Sequence, residues 1–300
     1  MPSYTAETLV AKVKRWGSIP TTQALFQTAD FISLMDDSLK YDLTPIIMSA
    51  KEEYFMRSKT VAITSTISEY IIPTRAIGGG LREVKIQIGT GANTSTKVLR
   101  RIDPGHSEQY RDGYYVKGNR IVLTDPAAYS GGSIIYEFPC RPNSLVADID
   151  AARITNITGL DVTVSSYPSA WLQSDKFDLI QNNAPFDWLS IDNDVVIVSN
   201  VFTFSTIPDY LEVGDWLCLA GESPVPQIPL EAIEVMCQSV VLKCLDALGD
   251  DSGSTIAKGR LDSMTKNLLN ILEPRVSDQP QKIVNMTSLS FDNYPRYSNY

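Results

Sequence analysis

The feature that most constrains this chain is a double switch in hydrophobic period. Apolar residues recur at helical spacing near the N-terminus, alternate with period two through the middle, and return to helical spacing toward the C-terminus. Leu9, Val13 and Trp16 fall at i, i+4 and i+7, with Gly17 as a stop signal. Thr28 is placed to cap a second helix, with Asp30 near its positive end and Phe31, Ile32, Met35 and Leu39 as its stripe. Pro45 either starts a third helix or kinks the second, and Ile47, Ala50 and Tyr54 continue the period. From Val61 and Ile63 onward the period is two. Strands are expected around Tyr70–Ile72, Val84–Ile88, Tyr114–Lys117, Ile121–Thr124 and Ile134–Phe138, with Gly118-Asn119 as a hairpin turn.

The middle also repeats itself. DVTVSSYPS at 161–169 aligns with VFTFSTIPD at 201–209, and SDKFDLI at 174–180 with GDWLCLA at 214–220, an offset of 40 residues. Two copies are too few for a solenoid; they suit two similar β-units packed as a small barrel or sandwich, the alternative being coincidence between two ordinary hairpins. Ser223–Pro229 reads as a stiff, extended connector. Beyond it Leu230, Ile233, Cys237, Val240, Cys244 and Leu248 form one stripe, and Ala257, Leu261, Met264, Leu268 and Ile271 another, ended by Pro274.

Neither helical set is long enough to be stable alone, so the economical fold packs them together. The expected class is α+β. Residues 1–60 and 229–273 form a helical bundle, 61–228 an inserted β domain with copies at about 153–180 and 193–220, and 274–300 an extended C-terminal tail.

Charge and cysteine content narrow the function. A formal net charge of −9 opposes nucleic-acid binding. No stretch has the apolar length of a membrane span, and the N-terminus lacks the apolar core of a secretory leader. Cys140, Cys218, Cys237 and Cys244 have no metal-type spacing. Cys237 and Cys244 share one helix face, and all four are expected to be small buried thiols folded in the cytoplasm.

Each apparent catalytic signature has a plainer structural reading. The single histidine, His106, sits in a turn-like segment and reads as a solvated side chain. Gly249-Asp250-Asp251-Ser252-Gly253 superficially resembles a serine nucleophile loop, but a Gly/Asp/Ser turn is what two successive helices require. Ile77-Gly78-Gly79-Gly80-Leu81 lacks the lysine and the following helix of a phosphate loop. The acid pairs Asp36-Asp37, Glu52-Glu53 and Asp250-Asp251 read as solvated faces. No enzyme, cofactor or metal is therefore expected. The tail differs: Arg275, Lys282, Tyr294, Arg296, Tyr297 and Tyr300 are interface-type residues on a segment without a core of its own, which marks them as partner contacts.

Several segments in their order and spacing carry a resemblance. They are KEEYF (51–55), IPTRAIGGGLREV (72–84), RPNSLV (141–146), VGDWLCLAGESPVPQIP (213–229), LKCLDALGD (242–250) and EPRVSDQPQKIVN (273–285). Together they make the chain similar to head-to-tail adaptor (connector, or head-completion) proteins of tailed bacteriophages. The resemblance implies a virion protein without catalysis, assembled in the host cytoplasm as a homo-oligomeric ring, with twelve subunits the expected number. Its implied partners are the portal protein, reached by Arg275 to Tyr300, tail nozzle or tail-tube proteins, and tail fibres. Genomic DNA would pass through the channel without specific binding, and no membrane is involved. Another tail ring or a fibre-attachment protein is the alternative within the same particle; a hydrolase using His106 and Ser252 is the alternative outside it.

Overall fold

A computed structural model of the chain describes residues 4–20, 25–89, 94–105 and 112–273. The first stripe forms α1 (Ala6–Trp16), which buries Leu9, Val10 and Val13 and ends at Gly17. α2 (Thr28–Asp37) begins at Thr28 itself, so its cap lies one residue before the expected one. Gln27 is its N-cap, and the Gln27 backbone N–H donates to Asp30 Oδ2 at 2.7 Å. The chain then winds through a π-helical turn, Ser38–Leu43, into α3 (Thr44–Ala50), which carries Pro45 in its first turn. Proline thus does start a helix, but without interrupting the winding. Thr44 Oγ1 donates to Leu39 O at 2.7 Å and satisfies a carbonyl in the widened turn.

Two β modules follow. The first contains β1 (Met56–Ala62), β2 (Glu69–Ile71), β3 (Glu83–Ile88), β4 (Ser95–Val98), β5 (Tyr114–Lys117), β6 (Arg120–Leu123) and β7 (Ser133–Pro139). They form a sheet in the order β1-β7-β3-β4 and a second in the order β2-β6-β5. Both sheets feed one core, in which Ile86, Ile121, Ile134 and Tyr136 are fully buried. The expected hairpin at Gly118-Asn119 joins β5 to β6, with Gly118 at φ 62°.

After β8 (Ser144–Leu145) come β9 (Ala152–Thr158), β10 (Asp161–Val164), β11 (Lys176–Ile180), β12 (Trp188–Val198), β13 (Val201–Phe204) and β14 (Trp216–Leu219). These six close into a barrel in the order β10-β13-β12-β11-β14-β9. The repeat is a structural duplication. β10 pairs with its own counterpart β13 about Val162↔Phe202, and β11 with its counterpart β14 about Asp178↔Cys218. Both registers are symmetric under the offset of 40: Asp161↔Thr203 mirrors Thr163↔Val201, and Phe177↔Leu219 mirrors Leu179↔Leu217. Loop bonds repeat as well. Leu172 N donates to Asp175 Oδ2, as Glu212 N does to Asp215 Oδ2, and Val164 N donates to Asn200 O, as Phe204 N does to Leu160 O. Coincidence between two hairpins would not reproduce these pairs.

The segment Ser223–Pro229 is irregular and buried throughout. The expected connector is therefore part of the core. It starts from β15 (Glu222–Ser223), which pairs in parallel with β8. Helices return as α4 (Leu230–Leu248) and α5 (Asp251–Leu272). One apolar cluster unites Leu9 and Val13 of α1, Phe31 and Met35 of α2 and Ile47 of α3 with Ile233, Met236 and Val240 of α4 and Leu268 of α5. α4 is buried on most sides, whereas α5 buries only Ala257 and Leu268 fully and leaves Ile271 54% exposed.

Candidate functional site

Three parts of the molecule meet around Asp178. The side chain lies midway along β11, 0% exposed, on the barrel wall that faces the helices. Its Oδ2 accepts from Arg75 Nη1 at 2.8 Å, Asn143 Nδ2 at 2.9 Å and Gly221 N at 3.0 Å, and its Oδ1 from Asp192 N at 2.9 Å. Arg75 comes from the loop after β2, and Asn143 from the segment before β8. Asn143 Oδ1 accepts from Trp188 Nε1 at 2.8 Å and from Arg75 Nη2, Asn143 Nδ2 also donates to Glu222 O at 2.8 Å, and Asn143 N donates to Gln227 Oε1 at 2.8 Å.

This junction ties the first β module, the barrel and the buried 223–229 segment together. Burial disfavours the Arg75 charge, but Asp178, Cys140 and Asp192 outweigh it and raise its pKa. Asp192 is likewise opposed by burial, yet Lys59 at 2.8 Å, Arg75 and Lys176 hold its carboxyl below the usual range. Every oxygen of Asp178 is engaged, so the arrangement is built to hold rather than to react.

A second feature is an open groove of about 1180 Å³ between α1, α2 and residues 145–150. Val10, Ile19, Ile32 and Leu145 give it an apolar floor, while Glu7, Arg15 and Asp150 stand at its edges.

The residues singled out in the sequence fall in different places. Arg275, Lys282, Tyr294, Arg296, Tyr297 and Tyr300 lie outside the described residues, as does His106. Ser252 belongs to a helix start: its Oγ donates to Asp250 Oδ1 at 2.9 Å, and Asp250 caps α5 by accepting from Gly253 N at 2.9 Å. All four cysteines are free and buried, as expected. Burial pushes the Cys140 and Cys244 thiols up to about 11 and Cys237 to about 12, and raises Cys218 well above its ordinary value, all unfavourable to a nucleophilic thiolate. Among the described residues, no group of His, Cys, Asp and Glu is placed to hold a metal ion, and no helix is long and apolar enough to cross a membrane.

Sequence reasoning missed the junction. A signal was present at Asp178, a charge inside an apolar strand where the other copy carries Cys218. No protein-family model matches this chain, and no curated protein matches it.

Proposed function

We propose that this chain is a structural subunit of a tailed-phage particle: a ring-forming head-to-tail adaptor that joins the portal to the tail, with the genome passing through its channel. The observation that carries the reading is the single apolar cluster fed by helices from both ends of the chain, from which the β modules loop out. In this reading those helices act as one bundle, the adaptor's core, and the β modules are an insertion on it. The ordered resemblance of six segments gives the assembly its name. The saturated junction around Asp178 suits a subunit that must keep its modules in fixed relation under load. A net charge of −9 suits a channel that DNA slides through without sticking. The tail from Arg275 to Tyr300 is the proposed reach to the portal.

Mass photometry of the full chain with and without portal tests this. The expected result is a stoichiometric ring on the portal and loss of that ring when residues 275–300 are removed. No association with portal at micromolar concentration overturns the adaptor reading. Undiminished binding by the truncated chain removes the tail from it.

A further inference from the structure

Strand order places β10 and β13 opposite β11 and β14 in the barrel. The β11–β14 wall turns Ile180, Trp216 and Cys218 into the helical core, and the opposite wall faces water. Its outward residues form two rows. Thr158, Asp161, Thr203 and Val196 lie across one, and Asn156, Thr163, Val201 and Val198 across the next. The barrel's two-fold exchanges the rows, so Asn156 corresponds to Val196, Thr158 to Val198 and Asp161 to Val201. At these positions the two copies share the same cross-strand pairs and a solvent-facing wall. One presents Asn, Thr and Asp there, and the other presents three valines, with Val196 56% and Val198 65% exposed. Burial within the subunit does not account for the valines, because their counterparts occupy the same wall with polar side chains.

Val196 and Val198 thus leave apolar side chains open to solvent beside polar ones, and an exposed apolar patch rimmed by polar residues is the kind that marks an interaction site. The neighbouring strand edge is sealed. Gln173 Nε2 donates to Val195 O at 2.5 Å, and Ile197 N donates to Gln173 Oε1 at 2.8 Å. A partner therefore meets the face of the wall rather than adding a strand to it.

We propose that Val196, Val198 and Val201 form a contact between copies of this chain. The inference deepens the assembly reading above and rests on it for the ring. Charge selects the occupant. The cation beside the wall, Lys176, is taken up by Asp194 at 2.7 Å, and Asp161 is bonded to Thr203 at 2.6 Å, so among the described residues no free cation is offered to nucleic acid. Two copies carrying −9 each repel one another except where their surfaces are free of charge. Three valine side chains cover far less than the ~800 Å² per partner of a stable pairwise interface. The contact is thus weak singly and cumulative in a closed assembly.

The test is the full-length double variant Val196→Asn/Val198→Thr, which gives the second copy the residues the first already carries at the same cross-strand pairs. Circular dichroism and melting temperature establish that it folds. Sedimentation velocity over a concentration series, alone and with portal, then reads assembly. The expected result is self-association weakened by about tenfold or more, with recovery in Val196→Ile/Val198→Ile. Equal assembly of the polar variant overturns the contact while leaving portal binding to judge the adaptor reading. A wild-type chain that never self-associates, alone or on portal, overturns it as well. A chain that self-associates through the valines but ignores portal upholds the contact and sinks the adaptor reading. Loss of binding to a tail protein with self-association unchanged overturns it in favour of that partner.

Discussion

Asp178 holds the centre of the β11–β14 pairing, where its two-fold counterpart is Cys218. The duplicated barrel thus accepts an uncharged side chain at this position, and the charge answers to Arg75 and Asn143 outside it. Removing one member of a buried pair leaves the other uncompensated. Asp178→Ala is therefore expected to cost roughly 3–5 kcal/mol, read as a lower denaturation midpoint with an unchanged slope. A loss below about 1 kcal/mol, the range of an exposed pair, would show that the junction is solvated. Two neighbouring carboxylates titrate in opposite senses. Asp192, held low, contributes stability that is complete above the ordinary carboxylate pKa near ~4 and is lost as pH falls through its lower folded value. Glu222 is raised by burial and then by Asp150, so its contribution is present below the ordinary value and lost as pH rises through the raised one. Glu222→Gln should therefore raise the melting temperature at pH 7 and have less effect near pH 4, by calorimetry at both. An equal gain at both would contradict the assignment. Of these residues only Asp178 was legible, as a charge breaking an apolar strand. Arg75 and Asn143 come from separate loops, and nothing local links them.

Elements built on one regular period were the most legible. α1 and the β5–β6 hairpin lie where apolar spacing and Gly118-Asn119 place them. The π turn at Ser38–Leu43 was not, because one wide turn only shifts the phase of the stripe and looks like a proline kink. α4 misled in another way. Gln238 and Ser239 lie off its apolar stripe, yet both are buried, Gln238 Nε2 donating to Ala257 O at 3.2 Å and Ser239 Oγ to Asp42 Oδ2 at 2.9 Å. The constant repeat offset also hid a bulge: Val164 pairs with Ile154, whereas its counterpart Phe204 pairs with Val195. Two glycines separate turn from helix energetically. Gly249 ends α4 at φ 71°, so Gly249→Ala should destabilise by about 1 kcal/mol. Gly259 lies inside α5, and beyond its own helical backbone no described atom stands within 4 Å of the place a methyl group would take there, so Gly259→Ala should stabilise by up to about 1 kcal/mol. Thermal melts of both variants check the pair; the same sign in each would contradict the conformational assignment.

At the scale of the whole molecule, the period switch revealed that β structure interrupts helices, but not that it forms two modules. Both modules use period two, and only the repeat sets the barrel apart. Among the described residues the apolar clusters are the helical core, the interior of the first β module and the barrel interior. The barrel is bound to the helices through apolar contact, since Ile180, Trp188, Trp216 and Cys218 belong to the helical cluster. Among the described residues, the first module shares none with that cluster. It is held largely by polar ties, such as Arg75 to Asp178, Lys59 to Asp192 and Cys140 N to Phe55 O at 2.8 Å. Apolar burial couples opening events more strongly than a few bonds do, so two opening units are expected. Native-state hydrogen exchange should place amides of β3 and β7 in one and those of α4 and β11 in the other. Asp178→Asn should lower the opening free energy of α4 and β11. Amides deep in β7, near Tyr136, share no partner with the substitution and should stay within about 0.5 kcal/mol of the parent. If every amide shifts by the same amount, the chain opens as one unit and the polar junction couples the modules as tightly as a shared core.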